Sequence, residues 1–143
     1  MAAIVINTDR VAPVFTDRSE IYAFIAGEAI ERGDPVFIQT TTGKAFKSLA
    51  AAAGTAAFAG YSLHKAGAGQ AIDVLKKGHM YGLTLDALNA GARTYVGDTG
   101  GSDTAAGTVS VATGTVIQLS DPGLTKVLYV DADWLTGAYA AGA

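Results

Sequence analysis

Glycine divides this chain into short segments, and that spacing limits what the chain can fold into more than any other feature. The sequence has 18 glycines, and most segments between them are short and rich in branched and aromatic residues, which is typical of strands. Glycine supplies the positive-φ conformations of tight turns, so turns and strands are expected to alternate. No window carries large apolar residues at the 3.6-residue spacing of an amphipathic helix. The predicted strands are residues 3–7, 21–25, 36–40, 44–47, 57–63, 71–75, 78–85, 94–96, 108–111, 115–119 and 126–130.

Two segments could form short helices. Residues 47–53 contain four alanines, and residues 85–89 follow Thr84. Neither segment is long enough to be a stable helix without strong tertiary packing. The predicted fold class is therefore all-β: a small β-barrel or sandwich of roughly 9–11 short strands with little helix.

A weak internal repeat supports a barrel or a sandwich. Residues 30–43 resemble residues 88–101, since each copy has a branched apolar residue, a turn glycine, an aromatic-aliphatic pair, and then threonine and a second glycine. Each copy predicts a turn, a strand and another turn. Two such units that close on one another would hide their strand edges.

The two ends of the chain differ from the middle. We predict an extended N-terminal arm over residues 1–20 and one β-barrel-like domain over residues 21–143, with a short C-terminal tail. Because Pro13 cannot donate to a central ladder, the arm either lies on another subunit or forms an edge strand of its own domain. Trp134 either plugs the end of the barrel or anchors an interface. The candidate residues for contact with a partner protein or another subunit are Ile4, Val5, Ile6, Val11, Val14, Phe15 and Trp134.

Composition argues against several classes of partner. The chain has 13 acidic and 10 basic residues, and its only basic doublet is Lys76-Lys77, so nucleic acid is not expected as a partner. There is no cysteine, which excludes disulfides and thiolate metal sites. One of the longest uncharged stretches, residues 48–64, is mostly alanine and glycine and too weakly apolar to span a membrane. The first residues do not resemble a signal peptide, which argues against secretion, and we expect a soluble protein.

The sharpest candidate for chemistry is the triplet Asp98-Thr99-Gly100, which aspartic proteases use. These enzymes pair two such aspartates so that the two carboxyl groups share one proton. The chain has one copy, so a protease would have to be a homodimer, and the flanking Gly97 and Gly101 instead predict a solvated turn. We find no set of nucleophile, base and oxyanion hole elsewhere. The sequence therefore predicts no enzymatic activity and no catalytic residue.

Metal and cofactor sites are not predicted either. His64 and His79 are 15 residues apart, with no carboxylate partner at ligand spacing. Glu28, Glu31 and Asp34 form an acidic cluster at a predicted turn. Such a cluster is most simply solvated, so we expect neither a bound metal nor a cofactor.

A longer pattern of turn glycines and strand residues resembles a known family. It begins with Ala-Gly-Glu-Ala-Ile-Glu-Arg-Gly-Asp-Pro-Val-Phe-Ile at residues 26–38, and it continues through residues 60–63, residues 68–74, Gly78 and residues 91–96. Together these segments resemble the small capsid decoration proteins, also called cement proteins, of tailed bacteriophages.

The resemblance covers roughly residues 20–131 and implies a β-barrel-like structural protein without enzymatic activity. It implies two partners, the major capsid protein and further copies of the chain itself, commonly in a homotrimer. Such a protein is assembled in the host cytoplasm and sits on the outer capsid surface of the virion, where it clamps neighbouring major capsid subunits. Two alternatives remain open: an aspartic-protease-like homodimer that uses Asp98, and a secreted adhesive or carbohydrate-binding β domain.

Overall fold

The structure, a computed structural model, describes residues 3–142. Strands hold 41% of the residues and no described residue lies in an α-helix, which confirms the all-β prediction. Two single 3-10 turns, Thr8–Arg10 and Thr16–Arg18, are the helical elements of the described chain. The strands are β1 (Ala12–Pro13), β2 (Glu20–Ile25), β3 (Pro35–Gln39), β4 (Ala45–Lys47), β5 (Gly60–Ser62), β6 (Ala71–Tyr81), β7 (Arg93–Val96), β8 (Ser102–Asp103), β9 (Ala112–Gln118), β10 (Lys126–Asp131) and β11 (Tyr139–Ala140).

These eleven strands form one sheet that curls into a half-barrel. The main path through the sheet is β11-β3-β5-β6-β10-β9-β7-β8, while β1 and β2 pair with β6 and β4 pairs with β3. Every pairing between named strands is antiparallel except that of β11 with β3. Short loops suffice for antiparallel neighbours, which fits the glycine spacing of the sequence.

The eleven-residue strand β6 is the longest element and pairs with four others, β1, β2, β5 and β10. The sequence predicted two strands here, residues 71–75 and 78–85, but the chain continues without a break through Gly78. The φ angle of Gly78 is 143°, and a Cβ on this residue would lie 2.8 Å from Ser19 Oγ. Only glycine can adopt this positive φ angle with Ser19 so close. Gly78 therefore keeps β6 continuous at the point where Ser19 packs against it.

Two hydrophobic clusters fill the interior, and alternate stretches of β6 contribute to both. Leu75 and Met80 belong to the first cluster, together with residues of β9 and β10. Ile72 and Val74 belong to the second cluster, together with residues of β3 and β4. Because β6 contributes side chains to both clusters, it joins the part of the sheet that contains β9 and β10 to the part that contains β3 and β4.

A network of hydroxyl groups connects distant strands inside the protein. The Tyr61 hydroxyl on β5 donates to Thr113 Oγ1 on β9 at 2.8 Å and lies 2.6 Å from Ser102 Oγ on β8. Thr113 Oγ1 lies 2.6 Å from Thr94 Oγ1 on β7. All four side chains are buried, and burial raises the pKa of the Tyr61 phenol above its usual value of 10.0. The network satisfies hydroxyl groups that would otherwise destabilise the interior.

The predicted N-terminal arm lies against its own domain over residues 3–20. Ala12 pairs with Tyr81 and Pro13 with Met80, so this segment continues along the edge of β6 that β2 occupies further on. Val11 is fully buried in the first hydrophobic cluster. Of the two alternatives for this segment, the structure therefore has the edge strand.

Four smaller predictions differ from the structure. Residues 3–7 make only the isolated pairs of Ala3 and Ile6, and residues 108–111 form no strand. The two possible helices, residues 47–53 and 85–89, are not helical in the structure. In the alanine-rich segment the Ala50 N–H donates to the Gly97 carbonyl at 3.0 Å and Ala50 is buried. Tertiary packing has overridden helix propensity there.

We predict that Tyr61→Phe lowers the free energy of unfolding by about 1–3 kcal/mol, because it removes the hydroxyl that joins β5 to β8 and β9 and leaves a buried partner unsatisfied. Urea denaturation followed by circular dichroism measures the change. Tyr22→Phe is the matched control, since the Tyr22 hydroxyl is exposed and only reaches Glu20 at 3.3 Å; its effect should stay within about 0.5 kcal/mol. Equal effects of the two substitutions would contradict the structural role of the network.

Candidate binding surface

Trp134 sits on a turn that its neighbours hold in place. The Asp133 carboxylate accepts the Leu135 N–H at 3.0 Å and the Thr136 hydroxyl at 2.5 Å. The Gly137 N–H closes the turn by donating to the Asp133 carbonyl at 2.9 Å. The Thr136 hydroxyl is the main cause of a lowered pKa for Asp133, so the carboxylate stays ionised and keeps its acceptor role.

The Trp134 side chain combines the two roles that the sequence left open. Its Nε1 donates to the carbonyl of the buried Ala59 at 2.8 Å, and its ring packs against both hydrophobic clusters. On the outer side, the ring centroid lies 4.8 Å from that of Tyr22 and 5.8 Å from that of Phe24. Lys76 Nζ lies 5.5 Å from the centre of the indole ring. The tryptophan therefore closes the interior and also supports an aromatic surface.

This surface exposes large apolar groups at the end of a rigid turn. Leu135 is 97% exposed and Tyr22 is 43% exposed. A shallow cleft beside them is lined by Lys76, Trp134, Leu135 and the acidic Asp131 and Asp133. We call Tyr22, Phe24, Lys76, Trp134 and Leu135 together the Trp134 surface.

The other predicted contact residues do not form such an exposed patch. Ile4 and Ile6 are half-buried and pack against the first hydrophobic cluster. Val14 and Phe15 are also half-buried, and the Phe15 ring meets His79 edge-on at 5.4 Å. No surface of Val11 is left for a partner, because it belongs to the core.

Val5 is the exception among the predicted arm residues, because the residue is 71% exposed. Its carbonyl accepts the Thr84 N–H at 2.9 Å, which fixes the backbone while the side chain points to solvent. Val5 thus remains a candidate contact residue.

The sequence prediction missed Tyr22 and Leu135. The run Ile-Tyr-Ala-Phe-Ile at residues 21–25 was predicted as a strand, and a continuous apolar run is typical of a strand buried on both faces. Four of its five residues are exposed in the structure. Leu135 follows Trp134 directly, so a Trp-Leu pair on a turn closed by Asp133 is the signal that could have identified it.

Two of the residues considered for chemistry, Asp98 and His64, are occupied by hydrogen bonds within the chain. One Asp98 oxygen accepts the Thr108 N–H at 2.7 Å and the other accepts the Thr108 hydroxyl at 2.9 Å. The carboxylate therefore links its turn to Thr108. His64 Nε2 accepts the Asp73 N–H at 3.0 Å. Among residues 3–142 no group of three or more His, Asp or Glu side chains could hold a metal ion.

The acidic cluster is only partly solvated. Asp34 Oδ2 accepts the Glu31 N–H at 3.0 Å, and Glu28 Oε2 accepts the Lys47 N–H at 3.0 Å. Burial raises the pKa of the Asp34 carboxyl above its usual value, and this outweighs the opposite effect of the bond from Glu31.

We predict a pH effect from Asp34. A raised pKa means that the folded protein binds this proton more tightly than the unfolded chain, so the stability that Asp34 contributes is present below pH 3.8 and is lost as the pH rises through the higher folded-state pKa. Asp34→Asn removes the charge and keeps an acceptor. Denaturant unfolding measures the free energy of unfolding of both proteins. The value for the parent protein minus that for the variant should be larger at about pH 4 than at about pH 7. A parent protein that gains stability over the variant as the pH rises would contradict this assignment.

Comparison with known proteins adds no family assignment. No protein-family model matches the chain, and no curated protein is significantly similar to it. Within the described residues, no helix has the length and apolar character needed to cross a membrane.

Proposed function

We propose that this chain is a capsid decoration protein of a tailed bacteriophage, which binds the outside of the head and holds neighbouring major capsid subunits together. The observation that carries the proposal is the Trp134 surface, with Leu135 97% exposed on a turn that three hydrogen bonds hold in shape. The choice of this family comes from the sequence resemblance to capsid decoration proteins over roughly residues 20–131.

The Trp134 surface has the composition of a protein-binding site. Aromatic residues are enriched at the centres of protein interfaces, and a central apolar patch with a polar rim is the usual arrangement. Here Tyr22, Trp134 and Leu135 supply the apolar centre, while Lys76 and Asp133 supply charges at the rim. A surface already held in shape loses little conformational entropy on binding.

The work of such a protein is mechanical and needs no reacting group. Each contact with two adjacent capsid subunits adds binding free energy that must be lost before the subunits separate under the pressure of packed DNA. A homotrimer, which the resemblance implies, would place three copies of the Trp134 surface on the shell at once. Simultaneous contacts increase the overall affinity well beyond that of a single copy.

The N-terminal segment contributes to this proposal mainly through Val5. Deletion of residues 1–18 would remove Val11 from the core and β1 from the edge of β6, so it would destabilise the fold as well as any contact. A substitution at Val5 changes the exposed side chain alone and is the appropriate test of this segment.

We predict that Leu135→Asp raises the dissociation constant for empty heads by at least about tenfold, because it places a charge at the centre of the apolar contact. A major capsid gene beside the gene for this chain, which the proposal predicts, would supply the heads, and co-sedimentation measures occupancy against protein concentration. Leu124→Asp is the matched control: Leu124 is 57% exposed on a separate turn, and aspartate tolerates its φ of 49°.

The control variant should bind within about twofold of the parent protein. Heads that never bind the parent protein would contradict the proposed function itself. Heads that bind the parent protein and both variants equally well would contradict the assignment of the Trp134 surface while leaving capsid binding in place.

A further inference from the structure

Strand β9 carries small side chains between two strands that carry long ones. Arg93 on β7 lies opposite Thr115 on β9, and Thr115 lies opposite Tyr129 on β10. The strand neighbours Thr94 and Leu128 are fully buried in the interior, and successive residues of a strand point to opposite faces. Arg93, Thr115 and Tyr129 therefore form one row on the outer face of the sheet, with the shortest side chain in the middle.

This row leaves a cleft of about 270 Å³ on the outer face. The cleft is lined by Arg93 and Tyr129 from the flanking strands, by small residues of β9, and by Asp131, which lies two residues beyond Tyr129 on β10. Sites for drug-sized ligands occupy about 300–1,000 Å³. The cleft is therefore of a size for one small ring.

Other aromatic rings hold the Tyr129 side chain in place. His79 lies opposite Tyr129 on β6, and their ring centroids are 5.1 Å apart. The Phe15 ring in turn meets His79 edge-on at 5.4 Å. Since β6 and β9 lie on opposite sides of β10, these rings support Tyr129 from the side away from the cleft. A wall that is already fixed loses little entropy when a ligand binds.

Two opposite charges at the cleft have no partner within the chain. Arg93 and Asp131 are both exposed, and among residues 3–142 neither side chain has an ion-pair or hydrogen-bond partner. Their strands are separated by β9, a distance of about 9–10 Å. A guanidinium only donates hydrogen bonds, a carboxylate only accepts them, and the Thr115 hydroxyl does both. The cleft thus offers a donor and an acceptor on opposite sides.

We propose that this cleft binds the ring of a neutral sugar. One face of a sugar ring carries C–H groups that can pack against the Tyr129 ring, and its hydroxyl groups both donate and accept hydrogen bonds. Hydroxyl groups on opposite sides of one ring accept from Arg93 and donate to Asp131 at the same time. Hydrogen bonds to charged groups are the stronger ones, and here both charges gain a partner.

Other ligand classes match the cleft less well. An anion is repelled by Asp131, and a cation is repelled by Arg93. A purely apolar ligand would remove water from both charges without giving either a partner, which is costly. A neutral ring with several hydroxyl groups avoids all three penalties.

Sugar binding goes beyond capsid adhesion and does not depend on it. Asp131 also borders the cleft beside the Trp134 surface, so the two sites are neighbours with different aromatic anchors. The sequence left open a carbohydrate-binding β domain, and the Tyr129 cleft is a specific location for that activity. Failure of sugar binding would leave the proposed function untouched.

NMR titration of the free, 15N-labelled protein tests the site. The probes are the methyl glycosides of glucose, galactose and mannose, and N-acetylglucosamine, each up to about 50 mM. One ring in an open cleft should bind with a dissociation constant of about 1–10 mM. At least one of the four sugars should shift the amide signals of Gly114 and Thr115 until they saturate.

Substitutions separate the wall from the charges. Tyr129→Ala should abolish the saturable shifts, whereas Tyr129→Phe keeps the ring and should bind within about twofold of the parent protein. Arg93→Gln and Asp131→Asn should each weaken binding at least about threefold, because each replaces a charged hydrogen-bonding group by a neutral one. Both change exposed residues, so they test the site even if Tyr129→Ala unfolds the protein.

Tyr139→Ala is the matched control, since Tyr139 is 51% exposed on β11 and lies outside the cleft; it should bind as the parent protein does. The absence of saturable shifts with all four sugars would overturn the proposal. Equal binding by the parent protein, Arg93→Gln and Asp131→Asn would also overturn it. So would equal shifts from glycine, a zwitterion without a ring.

Discussion

The strand β6 is the constraint on which the rest of the structure depends. It runs without interruption from Ala71 to Tyr81 and pairs with strands from both ends of the chain and from its middle. Both hydrophobic clusters take side chains from it. Gly78 makes this continuity possible, because any side chain there would collide with Ser19. The position of the Trp134 surface follows from the same strand, since β2 lies on its edge and Lys76 is one of its residues.

The interior combines an apolar core with one specific polar link. The hydrophobic clusters supply most of the driving force for folding, but apolar contacts alone tolerate several arrangements of the strands. The hydroxyl network around Tyr61 is directional, and its members come from β5, β7, β8 and β9. The observed arrangement of these strands satisfies all four hydroxyl groups, so the network favours this register. A rigid support of this kind suits a protein that presents a fixed surface to its partners.

Much of the fold could be predicted from the sequence, because turn glycines and short β-rich segments are local signals. Segments such as residues 36–40 and 126–130 correspond closely to β3 and β10. The failures have a common physical cause, which is that tertiary contacts decide them. Ala50 lies in an alanine-rich segment that favours a helix, yet a bond to Gly97 and burial hold it in a turn.

The candidate site was predicted only in part, for a related reason. Trp134 stood out as the single tryptophan, and its partners in the sheet could not be read from its neighbours in sequence. Apolar character gave no sign that Val11 is in the core while Tyr22 and Leu135 face solvent. Which face of a strand is covered depends on what packs over it, and that information lies in the whole fold.

The central claim is that this protein acts through a fixed surface that adheres to a capsid. The most direct measurement is a cryo-EM reconstruction of empty tailed-phage heads, built from a major capsid protein whose gene lies beside that of this chain, after incubation with the purified protein. The account predicts density for the half-barrel on the outer face of the shell, in contact with at least two capsid subunits through Tyr22, Trp134 and Leu135. Bare heads, or bound protein whose Trp134 surface faces solvent, would contradict it.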